Sequence, residues 1–135
     1  MENYLKKYGN LSESEAVYFL MQIMNGFREL HKHQIMHRDV KLANMFLKED
    51  TIVIGDFGFA KQGVETTKTR LGTPITMAPE LLMSKESSYT NKADLWSIGV
   101  VFYQLLFGKN PFDSKNYQEL KNKVRTQSGD RLIFP

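Results

Sequence analysis

The stretch His37-Arg38-Asp39-Val40-Lys41-Leu42-Ala43-Asn44 decides how this chain of 135 residues is read. It gathers a histidine, an arginine, an aspartate, a lysine and an asparagine between short apolar pieces: Ile35-Met36 before it, Met45-Phe46-Leu47 and Ile52-Val53-Ile54 after it. Those pieces are too short for helices and read as small strands flanking loops. Asp56-Phe57-Gly58 follows the last of them. From Asp56 to Glu80 the chain is rich in Gly, Thr and Lys with little periodicity, which predicts a long surface loop. A loop of that length within a compact domain is usually functional.

Helices are legible on both sides. Ser12 followed by Glu15 is a capping box, in which hydroxyl and carboxylate each satisfy a free backbone N–H. Ala16, Leu20, Ile23, Phe27 and Leu30 then recur at alternating spacings of four and three, predicting a buried helix that runs to about His33. From Ala93 to Phe107 the chain is apolar nearly all round, the mark of a central, buried helix stopped by Gly108 and Pro111. Asp113 or Ser114 is expected to cap a polar helix reaching about Arg125. The fold class is mainly α (α+β), with the helix from Ser12 packed on one from about Asn91 to Phe107.

Composition narrows the functional classes. With 41% apolar and 24% charged residues the chain reads as a soluble globular domain, not a disordered tail. The net charge of +3 comes from scattered lysines and arginines that form no dense run with interleaved aromatics, so no nucleic-acid partner is expected. No cysteine is present, which excludes disulfides and thiolate metal sites. No apolar run approaches a membrane span, and the polar start Met1-Glu2-Asn3-Tyr4 has no signal-peptide core. No membrane association and a cytoplasmic or nuclear location are expected.

His37-Arg38-Asp39-x-Lys41-x-x-Asn44 resembles the catalytic loop of eukaryotic-type serine/threonine protein kinases. At residue frequencies of about 5%, five fixed identities arise by chance on the order of 10⁻⁷ per start position. Asp56-Phe57-Gly58 resembles the family's metal-binding triplet, and Ala78-Pro79-Glu80 the end of its activation segment. Asp94-Leu95-Trp96-Ser97-Ile98-Gly99 resembles the start of its buried central helix. Four motifs in family order cover nearly the whole chain. The resemblance implies the large lobe of a kinase over residues 1–135, a helical bundle with short β-hairpins at the catalytic cleft. ATP and Mg²⁺ are the implied cofactors, and a protein bearing Ser or Thr the implied substrate.

The implied roles fall on particular residues. Asp39 would accept the substrate hydroxyl's proton and orient its oxygen; alone, it reads more readily as a turn aspartate. Lys41 would neutralise charge on the transferred phosphoryl group, and by itself would be a surface lysine. Asn44 and Asp56 supply hard oxygen ligands suited to Mg²⁺, against plainer readings as a turn amide and an Asx-turn before Gly58. Phe46 sits where the family places an apolar side chain under the adenine, or it simply packs in the core. Arg38 would grip a phosphorylated activation loop, with Thr69 as the matching phosphosite, unless the first faces solvent and the second belongs to a bland polar loop. Thr73 would stand near Asp39 and Lys41 to position substrate. His37 and Phe57 are structural, part of a stack continuing into the small lobe. Asp94 is structural too: a carboxylate entering an apolar helix must find donors, and the family uses it to hold the catalytic loop's N–H groups. Glu80 is structural, expected as a buried carboxylate whose arginine partner is missing.

Departures from the pattern matter as well. The sequence contains no glycine-rich phosphate loop and no V-A-I-K-like lysine strand. The expectation is therefore a large lobe without its ATP-clamping small lobe, with a small lobe or regulatory protein in trans as the implied partner. A non-catalytic binding or regulatory module is the alternative. Leu42 replaces the common proline, Thr76 replaces an aromatic residue, and Ala43 and Gln104 stand where basophilic kinases carry glutamates.

Overall fold

A computed structural model describes residues 1–63, 65–67, 72–83 and 87–127, with backbone alone at 65–67 and 87–88. Thr69 lies outside these residues. The helices are α1 (Glu2–Tyr8), α2 (Glu13–Lys32), α3 (Pro79–Met83), α4 (Asn91–Phe107) and α5 (Tyr117–Gln127). Among the described residues six short strands form three antiparallel pairs. β1 (Ile35–Met36) pairs with β4 (Lys61–Gln62), β2 (Met45–Lys48) with β3 (Thr51–Ile54), and β5 (Glu65–Thr67) with β6 (Ser87–Tyr89).

The capping box starts α2 as expected: the Glu15 N–H reaches Ser12 Oγ, and the Ser12 N–H donates to the Glu15 carboxylate at 3.0 Å. Ala16, Phe19, Ile23 and Phe27 form its buried face, with Leu20 and Leu30 partly buried beside them. Phe19 was not in the expected stripe. It belongs there because an apolar face is wider than a single three-and-four row.

α4 divides the interior. Ile98, Val101 and Leu105 join the α2 face together with Val40, Met45 and Ile52. Ala93 and Val100 face a second cluster made by Met36, Met77, Leu81, Leu82, Tyr89, Phe112, Leu120 and Val124. Serving two cores explains why α4 is apolar nearly all round, and each large aliphatic side chain buried in this way contributes about 1.5–3 kcal/mol. Leu95 departs from that description: it is 51% exposed, beside Met21 and Met24 of α2. Gly108 ends the helix in the left-handed conformation.

Three boundaries correct the sequence reading. α1 was not foreseen. The segment 56–80 is not one uninterrupted loop, since it contributes β4, β5 and a 3-10 turn at Pro74–Thr76. Ladders of two or three residues carry no readable period. α5 starts later than Asp113 or Ser114 would place it. Asn116 Oδ1 accepts the Glu119 N–H at 2.9 Å while the Glu119 carboxylate accepts the Lys115 N–H at 2.8 Å, and these two bonds outcompete the earlier positions.

Leu105 is fully buried between α4 and α2. Leu105→Ala should cost about 2–5 kcal/mol in a urea unfolding titration, whereas Leu95→Ala should stay within about 0.5 kcal/mol of the unaltered chain. Equal losses from both would contradict the placement of the core.

Candidate active site

The site begins with a buried carboxylate that supports it from below. Asp94, in the first turn of α4, accepts the N–H of His37 on Oδ2 at 2.8 Å and the N–H of Arg38 on Oδ1 at 3.0 Å. Burial pushes its carboxyl above the ordinary value, and the two amides pull it partway back. The need for such a clamp is visible in the backbone, because Arg38 has φ 69. A non-glycine residue in the left-handed region costs on the order of 1–3 kcal/mol and persists only where its surroundings fix it.

His37 is completely buried and makes two directed contacts. Its Nδ1 accepts the Asp39 N–H at 3.3 Å, which assigns the proton to Nε2, donated to the Gly55 carbonyl at 2.9 Å. Its ring lies between Phe27, at 5.9 Å between centroids, and Phe57, at 5.1 Å. Phe57 is 46% exposed, so this short aromatic column runs from the core to the surface.

Above this support four of the expected residues meet. Asp39 is buried, and its Oδ2 takes Lys41 Nζ at 2.7 Å and Asn44 Nδ2 at 3.2 Å. Its Oδ1 accepts the Thr73 hydroxyl at 2.7 Å, and that hydroxyl oxygen accepts from Lys41 Nζ at 3.1 Å. Asn44 Nδ2 also donates to the Asp39 carbonyl at 2.9 Å. Burial works to raise the Asp39 carboxyl's pKa, but Lys41, Thr73 and Asn44 outweigh it and hold the group below its ordinary value. Each carboxylate oxygen has two acceptor positions, so Oδ1 keeps one that no described residue fills.

Thr73 reaches Asp39 because Gly72 lets the backbone pass. Gly72 has φ 106, and a Cβ there would come within 2.6 Å of the Arg38 carbonyl oxygen. Behind it, Thr76 is buried with its hydroxyl on the Thr73 carbonyl at 3.2 Å, while its own carbonyl accepts from Ser97 Oγ at 2.6 Å. The backbone carbonyl at 76 thus ties the segment to α4, while the Thr76 hydroxyl braces the turn from within.

Asp56 stands beside this group without bonding to it. The neighbouring Gly55 N–H donates to the Asn44 carbonyl at 3.0 Å, and Met45 is paired with Ile54. Asp56 itself is exposed, has φ 60, and accepts the Gly58 N–H on Oδ1 at 3.3 Å. That is the Asx-turn weighed from the sequence, and it leaves Oδ2 without a donor among the described residues. Asn44 Oδ1 likewise accepts nothing there. Two unengaged hard oxygens, one just before β2 and one just after β3, are a donor set that Mg²⁺ accepts. No group of three His, Cys, Asp or Glu residues that could hold a metal occurs among the described residues.

Phe46 is not core packing: it is 53% exposed, opposite the 44% exposed Val53 in the β2–β3 pair. Its ring lies so close to Gly55 that a Cβ there would approach it to 2.6 Å. Arg38 does not face solvent either; it is buried, and its Nε donates to the Phe59 carbonyl at 2.6 Å. Glu80 corrects the sequence reading. It lies exposed on α3, so among the described residues it carries no burial penalty. Sequence reasoning missed Tyr89, whose hydroxyl also reaches Asp94; a lone tyrosine in a three-residue strand gives no periodic signal.

A helical domain with short hairpins, in which a loop aspartate, lysine and asparagine meet a threonine from a distant segment, defines a protein of the protein-kinase-like class. Residues 1–132 match the family model described as the protein kinase domain, and the chain belongs to that family. It is 39% identical over 130 residues to the serine/threonine-protein kinase atg1 of Dictyostelium discoideum, covering 92% of this chain and 19% of that protein. It is 43% identical over 123 residues to the serine/threonine-protein kinase plk-1 of Caenorhabditis elegans, covering 89% of this chain and 19% of that one. A probable cell cycle serine/threonine-protein kinase of Encephalitozoon cuniculi, a CDC5 homolog, is 39% identical over 136 residues, covering 97% of this chain and 28% of its own length. The chain thus spans between about a fifth and a little over a quarter of these relatives.

The donors around Asp39 make a titration prediction. A carboxyl whose folded pKa is depressed contributes stability above its unfolded value and loses it as pH falls through the folded one. Followed by carbon NMR, Asp39 should titrate below the ordinary carboxylate range. In Lys41→Met/Thr73→Val its midpoint should move up, because burial then meets less opposition. An unchanged midpoint in that variant would contradict the geometry.

Proposed function

We propose that the chain is the large, catalytic lobe of a serine/threonine protein kinase, transferring the γ-phosphate of ATP to Ser or Thr hydroxyls of protein substrates. The observation that carries this reading is the buried carboxylate of Asp39, held by Lys41, Asn44 and Thr73 with one acceptor position left over. A substrate hydroxyl donating to that position has its oxygen oriented for in-line attack on phosphorus. A carboxylate kept below its ordinary pKa is a weak base, so Asp39 aligns the hydroxyl and takes its proton only as the new P–O bond forms. Lys41, 2.7 Å from Asp39, supplies positive charge where the transferred group gathers negative charge.

Asn44 and Asp56 are the residues that would hold Mg²⁺. The ion, when bound, neutralises charge on the phosphates. Phe46 offers an exposed apolar ring for the adenine. Arg38, with Thr69 as acceptor once phosphorylated, is proposed as the pairing that fixes the activation segment. Thr73 positions substrate through its shared contact with Asp39 and Lys41.

These 135 residues supply the lower half of such a site, and turnover requires a small lobe, in cis or in trans. A glycine-rich loop and a phosphate-pairing lysine do not occur in them. Positioning contributes roughly 7–11 kcal/mol to a barrier of this kind, and half a clamp does not hold the γ-phosphate in line. The second reading is a kinase-like module that binds or regulates a partner without catalysis.

Incubation with Mg²⁺, labelled ATP and a generic protein substrate separates the readings. The 135-residue chain alone should be silent, and joining it to a kinase small lobe should give turnover that Asp39→Asn lowers by about 10²–10⁴-fold. Turnover by the bare chain that Asp39→Asn removes would overturn the need for the small lobe. Silence of the joined protein would favour the non-catalytic module.

A further inference from the structure

Asp94 has a third donor, and it comes from a residue with no place in the site as drawn above. Tyr89, the last residue of β6, is 4% exposed, and its hydroxyl donates to Asp94 Oδ1 at 3.0 Å. That same oxygen accepts the Arg38 N–H at 3.0 Å, while the His37 N–H takes Oδ2. The terminal torsion of an aspartate is broad and soft. Two amides from one short loop leave the carboxylate free to follow that loop. A donor arriving from another element fixes its plane against something independent.

That other element is well placed to matter. The Tyr89 ring belongs to the second core cluster, with Met36, Leu81 and Leu82. Its backbone position is set by the pairing of β6 with β5, in which Glu65 stands opposite Tyr89 and Thr67 opposite Ser87. β5 lies within the segment that runs from Asp56 to Glu80, the same segment that brings Thr73 to Asp39. Burial, with the adjacent Asp94 carboxylate, pushes the Tyr89 phenol above its ordinary range, which favours the protonated hydroxyl that donates to Asp94.

We propose that Tyr89 is a positioning residue for the catalytic loop. Its hydroxyl fixes the plane of the Asp94 carboxylate and, through it, the strained Arg38 and the adjoining Asp39, while the β5–β6 pairing ties that hold to the segment 56–80. The effect on turnover depends on the catalytic reading above; the effect on the loop does not.

The test is Tyr89→Phe, which keeps the ring and removes one hydroxyl. Hydrogen exchange of the full chain, read by NMR, should show the Arg38 and His37 amides exchanging about fivefold faster, the equivalent of one hydrogen bond, with the amides of Val100 and Val101 unchanged. In the protein joined to a small lobe, kcat should fall by a similar factor at unchanged KM for ATP. Unchanged exchange at Arg38 and His37 overturns the proposal. So does acceleration spread evenly through β6 and α4, which marks lost packing instead of a lost hydroxyl. Accelerated amides beside an unchanged kcat would overturn the positioning role. If neither joined protein transfers phosphate, the catalytic reading falls and the exchange rates still decide the case for Tyr89. Should the variant fail to fold, the unaltered chain decides: its Tyr89 hydroxyl proton should give a slowly exchanging resonance, and absence of that resonance overturns the contact.

Discussion

Everything at this site hangs from one buried carboxylate. Asp94 enters the most apolar helix of the chain, where an unpaired charge would cost several kcal/mol, and it stays because the backbone of another element fills its oxygens. The exchange is mutual. The amides of His37 and Arg38 would be orphaned in the interior without Asp94, and Arg38 would have no reason to hold a left-handed backbone. Out of that bend come Asp39, facing the Lys41 ammonium, and the Asp39 amide, donating to the His37 ring. The loop that carries Asp39 is thus built from the core outward, with α4 as its foundation.

The second constraint is that the opposite wall of the site comes from far along the chain. Thr73 reaches Asp39 across 34 residues, and Gly72 makes the approach possible by offering no Cβ to the Arg38 carbonyl. Thr76 and Ser97 then fasten this wall to the same helix that carries Asp94. Both walls therefore refer to α4. Shifting either one disturbs a buried polar contact, and such contacts tolerate little displacement in a medium of low dielectric.

Much of this was legible in the sequence, and the reasons differ by residue. α2 announced itself through a capping box and a long apolar stripe, and α4 through its unbroken apolar run; both signals are periodic or local. The meeting of Asp39, Lys41 and Asn44 was implied by the resemblance of eight consecutive residues to a kinase catalytic loop. Thr73 was placed only by resemblance, since no local rule brings residue 73 to residue 39. Tyr89, the β5–β6 pair and α1 were not read at all, because short elements held by tertiary contacts leave no period behind them. Glu80 was misjudged for a related reason: burial of a charged side chain depends on what surrounds α3, which the letters near position 80 do not encode. The start of α5 was missed by two or three residues because Asp113, Ser114 and Asn116 are all acceptable caps, and the choice fell to Glu119.

The account's central claim is that Asp94 sets the geometry of Asp39 without touching it. The most direct measurement is the titration of the Asp39 carboxyl, by carbon NMR, in Asp94→Asn. An amide side chain has one acceptor oxygen in place of two, so it cannot hold both the His37 and Arg38 amides as the carboxylate does. The account predicts that the Asp39 midpoint moves upward from its depressed value as Lys41 and Thr73 fall out of register with it. An Asp39 midpoint identical in the two proteins, in a variant that remains folded, would contradict it.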